Sequence, residues 1–269
     1  MQPTKNSIFG CGWLGLPLAE ALLKKHFIVR GSTTTQNKLP ILRQAGIDPF
    51  LISLTANNIS GNVTQFLQGS TILIINIPPK LRNTVEENFI SKIQILIPFI
   101  ENSTVEFVLF VSSTSVYADD NSNVTEETVP NPDNEGGRQL LIAEELLRNN
   151  PNFKTTILRF AGLMGGERHP VRYLSGKEDL LNRNAPINLI HRDDCISIIL
   201  KIIEMAKWDE TFNASAPFHP SRKKYYTEKA LKLNIAVPSF RNHNDSFGKV
   251  IDSSKLIRDL NYDFLYPRL

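Results

Sequence analysis

The stretch SIFGCGWLGLPLAEALL, residues 7–23, decides the fold of this 269-residue chain. An apolar strand at residues 7–9 runs into the glycine loop GCGWLG at residues 10–15, and a helical pattern follows the loop. The loop therefore has the form G-x-G-x-x-G between a strand and a helix, which is the context in which this motif indicates a dinucleotide site.

Each glycine of the loop has a physical reason. The first permits a tight turn, the second lets a pyrophosphate approach the backbone, and the third lets the helix pack closely on its strand. The helix N-terminus adds unpaired N–H groups and a partial positive charge, which favour phosphate. The alternative is an ordinary strand-to-helix turn that uses glycine. We predict a dinucleotide site formed by Gly10, Gly12, Trp13, Leu14 and Gly15.

Composition limits the function classes. Apolar residues make up 41% and charged residues 21% of the chain, so a sizeable core is expected. A net charge of +3 is too balanced to indicate nucleic acid or an anionic membrane as a partner. No apolar run approaches the roughly 20 residues that span a bilayer. The first ten residues lack the layout of a secretion signal. With only Cys11 and Cys195 present, no disulfide framework exists, and we expect a reduced, cytoplasmic protein.

Strand and helix patterns alternate through the first 160 residues. Predicted strands cover residues 26–31, 48–54, 71–77, 105–111 and 154–160, and helices cover 14–25, 62–67, 84–100 and 137–149. This alternation predicts a Rossmann-type doubly wound parallel α/β sheet with a small irregular C-terminal substrate region. We expect an NAD(P)-binding domain at residues 1–160 and a smaller substrate-side region at 161–269, packed together as one compact unit.

Ligands of such a sheet bind at the carboxyl ends of its strands, which here include Thr33, Ile77, Pro78 and the residues from Ser112 onward. An NAD site usually has an Asp or Glu about 20 residues beyond the glycines. Thr33 and Thr34 occupy that place instead, and no carboxylate precedes Asp48.

Hydroxyls would tolerate a 2′-phosphate that a carboxylate would repel. We therefore expect NADP in preference to NAD, with charge supplied by Arg30, Lys38 or Arg43. An ordinary polar turn is the alternative.

Several motifs extend the pattern along the chain: VSSTSVY at 111–117, LLIAEELL at 140–147, ILRFAGLMGGER at 157–168, INLIHRDD at 187–194, FNASAP at 212–217 and the closing DLNYDFLYP. With the glycine loop, their order and spacing resemble those of the extended short-chain dehydrogenases/reductases, the NAD(P)-dependent epimerase/dehydratase group. The resemblance implies an oxidoreductase or epimerase acting on a small carbonyl or hydroxyl compound, with nucleotide sugars as one candidate class. It also implies a homodimer through the helices at 84–100 and 137–149.

Members of that family hold the substrate oxygen with a Ser or Thr, and a Tyr-x-x-x-Lys helix moves the proton. The Lys charge lowers the pKa of the Tyr, so the phenol exchanges a proton near neutral pH. By this resemblance Ser113 and Thr114 occupy the first position. The positions that correspond to the Tyr and the Lys hold Gly136 and Leu140, so the pair is missing.

Two tyrosines are candidates for the missing group. Tyr173 and Lys177 fit Tyr-x-x-x-Lys literally, but they follow the strand at 154–160, and Gly176 weakens any helix that would align them. Tyr117, three residues beyond Thr114, is the better candidate. It either packs beneath the acidic loop at 121–132, or contacts nicotinamide or substrate, or acts as the acid.

The resemblance also makes Arg168 a candidate for holding a substrate phosphate, because a planar guanidinium suits that group. His169 beside it titrates near neutral pH. A surface role is the alternative for both. For His191, Asp193 and Asp194 we predict capping of the following helix by one of the aspartates and no metal site.

Two functions remain open. The first is an NADP-preferring enzyme with Ser113, Thr114 and Tyr117 around the reacting atoms. The second is a non-catalytic protein that senses NADP(H) or acts as a scaffold, which an intact glycine loop without the Tyr/Lys pair would also predict.

Overall fold

A computed structural model describes residues 4–79, 88–242 and 247–269. Its centre is a seven-stranded parallel sheet, and the strands β1 to β7 are Lys5–Phe9, Ile28–Thr33, Asp48–Leu51, Ile72–Ile75, Phe107–Ser113, Lys154–Phe160 and Thr211–Ala214. Their order in the sheet is β3-β2-β1-β4-β5-β6-β7. The order reverses beside β1, so the loop that follows β1 lies at the point where ligands of such sheets bind.

Helices cover both faces of the sheet. The helices α1 to α9 are Gly15–Lys24, Leu39–Gln44, Val63–Leu67, Phe89–Glu101, Glu135–Arg148, Pro170–Leu174, Arg192–Glu204, Arg222–Lys232 and Ser254–Leu260. Apolar residues of α1, α7 and α9 share one buried cluster, and those of α4 and α5 share another on the opposite face. The predicted doubly wound Rossmann-type fold is confirmed.

Three short strand pairs complete the architecture of the described residues. Ser53–Leu54 pairs antiparallel with Ile59–Ser60, whereas Gly162–Met164 with Leu189–His191 and Asn123–Val124 with Val250–Ile251 are parallel. Residues beyond 160 also supply the edge strand β7 and the helix α7 that packs on α1. The C-terminal part therefore belongs partly to the central sheet, and the expected division at residue 160 stays a prediction.

Several boundaries differ from the sequence prediction. β2 begins two residues later than expected because His26 adopts a positive φ of 65° and turns the chain first. β3 ends at Leu51, and the chain then enters a separate hairpin. α4 begins at Phe89 with Asn88 as its cap, while residues 84–87 of the predicted helix lie outside the described residues. In the part of the chain that the structure describes, no helix is long and apolar enough to cross a membrane.

Candidate dinucleotide and substrate site

The glycine loop is held by the two strands that flank β1. The N–H groups of Gly10 and Cys11 donate to the side-chain and backbone oxygens of Ser32 at 3.0 and 2.8 Å. From the other side, Asn76 Nδ2 donates to the Gly10 carbonyl at 3.2 Å. Sequence reasoning missed both Ser32 and Asn76. The available signal for Asn76 was a polar residue within the apolar run at 71–77, whereas Ser32 follows the predicted strand at 26–31 and carried no such signal.

The three glycines have different surroundings. Gly10 has a φ of +107°, and a Cβ on Gly15 would lie 2.1 Å from the Gly10 carbonyl oxygen. A Cβ on Gly12 would meet nothing within 4 Å among the described residues. Packing of the chain on itself therefore explains Gly10 and Gly15, but it does not explain Gly12. Open space above Gly12 is what the approach of a pyrophosphate requires.

The N-terminus of α1 is also suited to an anion. Leu14 stands at the cap position without a side-chain cap, and the first turn carries no acidic residue. The Leu16 N–H donates to the Gly12 carbonyl at 3.0 Å, and Pro17 has no N–H. The N–H groups of Leu14 and Gly15 have no backbone partner among the described residues, so these two can bind phosphate. Together with the room above Gly12, these features fit a dinucleotide.

At the end of β2, the threonines differ in exposure. Thr33 is buried, and its Oγ1 accepts from the N–H of Thr35 at 3.2 Å, whereas Thr34 is exposed. Across the loop, Ile77 is half-buried and Pro78 exposed just beyond β4.

The basic residues near β2 do not all face the same edge. Arg30 Nη1 donates to the backbone oxygens of Gln65 and Gln68, both at 2.6 Å, and Nε pairs with Asp48 at 3.3 Å. The expectation that Arg30 supplies charge to a cofactor is therefore wrong. Lys38 and Arg43 are exposed.

Ser113 and Thr114 lie at the carboxyl edge of β5. Ser113 Oγ accepts from the N–H of Ser115 at 3.1 Å, which leaves its own hydroxyl hydrogen for another acceptor. The Thr114 hydroxyl has no hydrogen bond to the residues that the structure describes. A Cβ on Gly137 would lie 2.2 Å from the Ser115 carbonyl oxygen, so the start of α5 packs directly on this turn.

Helix α5 carries the two positions at which the family resemblance implies Tyr and Lys. Asn134 caps the helix by accepting from the N–H of Gly137 at 2.9 Å. Gly136 lies in the first turn, and Leu140 is buried in the cluster shared by α4 and α5. Neither residue can exchange a proton.

A row of polar residues crosses the sheet beneath α5. Ser112, Arg159 and Asn213 are register partners on β5, β6 and β7. Glu144 of α5 accepts from Ser112 Oγ at 2.5 Å and from Arg159 Nε at 3.0 Å. This buried network fixes α5 relative to the strands that end at the site.

Tyr117 belongs to this network. Its hydroxyl donates to Asn213 Oδ1 at 3.0 Å and accepts from Arg159 Nη1 at 2.5 Å. The residue is 2% exposed. Burial raises the pKa of the phenol, and the Arg159 charge offsets part of that rise. The sequence left open whether Tyr117 packs beneath the acidic loop, contacts a ligand or acts as the acid. In the structure its hydroxyl both donates and accepts hydrogen bonds within the protein.

The literal Tyr-x-x-x-Lys match does not form a pair on one helix. Helix α6 ends at Leu174, and the chain turns through Gly176 at a φ of +70° before Lys177. Tyr173 itself is 70% exposed. This agrees with the sequence interpretation, which placed the match outside its structural context.

His169 and Arg168 follow the first of the short parallel pairs. His169 caps α6, since its Nδ1 accepts from the N–H of Val171 at 3.3 Å. Burial lowers the pKa of this imidazole, and the charges of Lys229 and Arg172 lower it further. The exposed Arg168 guanidinium lies 5.1 Å from the ring centre of Trp13.

The start of α7 differs from its prediction. His191 is the cap, because its Nδ1 accepts from the N–H of Asp193 at 3.2 Å. Asp194 instead anchors the C-terminal tail, accepting from Tyr262 Oη at 2.8 Å and from the N–H of Leu265 at 2.7 Å. Within the described ranges, no group of three or more His, Cys, Asp or Glu residues could hold a metal ion.

A doubly wound sheet of this order, with the glycine loop at the strand reversal, defines a Rossmann-type α/β protein. No family model matches the chain. Protein YeeZ of Escherichia coli strain K12 is 35% identical over 265 residues, covering 98% of this chain and 96% of the relative. The chain belongs to the same family as YeeZ.

Solved structures show the same fold. A Methylobacillus flagellatus protein assigned to the NAD-dependent epimerases/dehydratases is 26% identical, with a TM-score of 0.77 and coverage of 98% of this chain and 94% of that chain. UDP-glucuronic acid 4-epimerase of Bacillus cereus, solved in complex with NAD, is 18% identical, with a TM-score of 0.80 and coverage of 99% and 92%.

Proposed function

We propose that this chain is an NAD(P)-dependent oxidoreductase or epimerase that acts on a small carbonyl or hydroxyl compound carrying a phosphate, such as a nucleotide sugar. The observation that carries the proposal is the open space above Gly12, between two glycines that the packing of the chain itself requires. The NAD-bound 4-epimerase of similar fold, whose name specifies a UDP-sugar, supports the same class of function.

In this proposal the chain positions both ligands. The backbone of residues 10–15 holds the pyrophosphate, and Ile77 and Pro78 line the groove beyond β4. When bound, a nicotinamide supplies hydride transfer. Ser113 donates its remaining hydroxyl hydrogen to the substrate oxygen, and Thr114 lies beside it with an unpartnered hydroxyl among the described residues. Arg168 and His169 lie on the substrate side.

The site lacks the residues that transfer the proton in the family it resembles. Gly136 and Leu140 replace the family's Tyr and Lys, and the Tyr117 hydroxyl is occupied by Arg159 and Asn213. We therefore assign Tyr117 a positioning role and assign the proton to a substrate group or water. Loss of a general acid typically costs about 100- to 10,000-fold in rate, so turnover should be slow.

We further propose a preference for NADP over NAD. No carboxylate lies between Gly31 and Asp48, and Thr34 is exposed at the end of β2. Because Arg30 is held by Asp48 and by backbone carbonyls, the exposed Lys38 and Arg43 are the cations available for a 2′-phosphate.

Fluorescence titration with NADPH and NADH tests the cofactor. We expect NADPH to bind more tightly, and failure of both to bind would contradict the proposal. A panel of carbonyl substrates, including UDP-sugars, then tests catalysis with Ser113→Ala, Thr114→Val and Tyr117→Phe. Activity should fall in the first two. Full activity in Ser113→Ala would show that Ser113 does not hold the substrate oxygen.

The alternative is a non-catalytic protein that binds NADP(H) as a sensor or scaffold. Its supporting observation is the combination of an intact glycine loop with Gly136, Leu140 and a closed Tyr117 network. Tight NADPH binding without turnover of any panel member would favour it. The homodimer implied by the family resemblance remains a prediction, which light scattering coupled to gel filtration tests.

A further inference from the structure

Two arginines distant in sequence meet on one tryptophan of the glycine loop. The guanidinium carbons of Arg168 and Arg192 lie 5.1 and 5.5 Å from the ring centre of Trp13. Both distances are within the range of a cation–π contact. The loop that approaches the cofactor thus carries two cations on its only aromatic side chain.

The backbone explains this meeting. Met164 and His191 are register partners at the end of the short parallel pair, so the residues that follow them emerge side by side. A tight turn from Gly165 to Arg168 is closed by the Gly165 N–H donating to the Arg168 carbonyl at 2.9 Å. A Cβ on Gly165 would lie 2.8 Å from His191 Nε2, so glycine permits the turn to pack on the start of α7.

Both guanidiniums retain unused donors. Neither the Arg168 guanidinium nor the Arg192 guanidinium donates a hydrogen bond to the residues that the structure describes, although each carries five N–H groups. The nearest carboxylate oxygen paired with Arg192 Nε belongs to Asp193, at 3.8 Å. Arg159 and Arg30, by contrast, donate to carboxylates and carbonyl oxygens.

Electrostatics favours an anion at this place. Two positive charges that share one ring repel each other, and the uncapped N-terminus of α1 adds a partial positive charge nearby. The guanidinium fork matches the oxygens of a phosphate, with which it forms short charge-assisted hydrogen bonds. A phosphate group would satisfy the donors and cancel the repulsion.

We propose that Arg168 and Arg192, positioned by Trp13, form a two-arginine clamp for a phosphate group beside the glycine loop. The inference deepens the proposed function and rests on it for the identity of the ligands. The phosphate belongs either to the substrate or to the cofactor, and the two sources share the chemistry that the clamp recognises. In this proposal Arg192 binds the phosphate together with Arg168, and Trp13 positions both guanidiniums.

The two tryptophans of the chain allow a direct test. Trp208 stacks on Phe107 at 4.7 Å, away from the loop, so Trp208→Phe leaves Trp13 as the only tryptophan. In this background, Trp13 fluorescence is titrated with inorganic pyrophosphate, with UDP and with NADPH. The variants are Arg168→Gln and Arg192→Gln. Arg258→Gln, an exposed arginine of α9, removes the same charge as a control.

We expect either clamp variant to weaken pyrophosphate and UDP binding by about tenfold or more, as the loss of hydrogen bonds to a charged group predicts. The control should stay within about twofold, because exposed charges contribute little. Unchanged NADPH affinity in the clamp variants assigns the phosphate to the substrate. An equal loss for NADPH assigns it to the cofactor.

Other outcomes separate the clamp from the proposed function. Unchanged affinity for all three probes in both clamp variants would refute the clamp while leaving NADPH binding intact. Failure of the parent protein to bind NADPH would contradict the proposed function, and the pyrophosphate titration would still test the clamp. Trp13→Phe should retain pyrophosphate binding and Trp13→Leu should weaken it by calorimetry, with circular dichroism confirming that each variant folds.

Discussion

Glu144 and Arg159 form a buried ion pair that ties helix α5 to the centre of the sheet. Arg159 donates Nε to Glu144 Oε1 at 3.0 Å and Nη2 to Oε2 at 2.5 Å. The two residues are 2% and 3% exposed. Ser112 Oγ also donates to Glu144 Oε1, and Arg159 Nη1 donates to the Tyr117 hydroxyl. Since α5 begins against the turn after Ser113, the pair also fixes the wall of the candidate site.

Removal of one partner should therefore be costly. We expect Arg159→Met to lower the free energy of unfolding by about 3–5 kcal/mol, because Glu144 would keep a buried charge without its cation. The double variant Glu144→Leu/Arg159→Met should recover most of that loss. Urea denaturation measures both. The ion pair of the exposed Arg258 with Asp259 provides the control, where Arg258→Met should cost less than about 1 kcal/mol. Equal costs for Arg159→Met and Arg258→Met would show that the buried pair contributes no special stability.

Alanine substitutions at two glycines of the same loop should affect different properties, NADPH affinity in one case and stability in the other. Gly12→Ala meets open space, so the unfolding free energy should change by less than about 0.5 kcal/mol while NADPH affinity falls about tenfold or more. Gly15→Ala places a Cβ 2.1 Å from the Gly10 carbonyl oxygen, so stability itself should fall by about 1–3 kcal/mol or more. Thermal unfolding and NADPH titration of both variants separate the effects. Wild-type NADPH affinity in folded Gly12→Ala would place the pyrophosphate elsewhere.

Local patterns predicted the part of the fold that depends on local chemistry. The strand Lys154–Phe160 and the glycine loop lie where the sequence placed them, because a continuous apolar run and a strand–glycine–helix context are short-range signals. The edge strand Thr211–Ala214 was not predicted. Four residues with one asparagine resemble a loop until β6 supplies hydrogen-bond partners.

The site shows the same division between local and long-range information. The glycine loop was predictable, whereas its anchors Ser32 and Asn76 are separated from it by a strand or more in sequence. Tyr117 follows a single 3-10 turn, which directs its ring towards Arg159, 42 residues away along the chain. Sequence order indicates that Tyr117 is near the edge of the sheet. The direction of its hydroxyl depends on tertiary contacts.

The two cysteines should be unreactive in the folded protein. Cys11 and Cys195 are both buried, and burial raises the pKa of the Cys11 thiol to about 12. At pH 8 only about one Cys11 thiol in 10,000 would then be ionised, and the thiolate is the reactive form. We expect no labelling by iodoacetamide at pH 8 in native conditions and labelling of both residues in urea. Mass spectrometry locates the label, and rapid native labelling of Cys11 would show that the loop opens.

The acidic loop at residues 121–132 is held to the sheet by the half-buried carboxylate of Glu126. Glu126 Oε1 accepts from the backbone N–H of Asn213 on β7 at 2.7 Å. A parallel pairing of Asn123–Val124 with Val250–Ile251 holds the same loop from the other side. Burial raises the pKa of the Glu126 carboxyl, and the hydrogen bond from Asn213 only partly offsets that rise.

This shift gives the stability of the protein a pH dependence of defined sign. A raised pKa means that the folded state binds the Glu126 proton more tightly, so the contribution is complete below 4.5 and is lost as pH rises through the folded value. Glu126→Gln keeps the carbonyl acceptor for Asn213 and does not ionise. We therefore expect the unfolding free energy of Glu126→Gln, relative to wild type, to increase between pH 4 and pH 7 in urea titrations. Glu127→Gln, an exposed neighbour, controls for the loss of one negative charge. A relative stability that decreases with pH would contradict the raised pKa of Glu126, because ionisation would then stabilise the folded state.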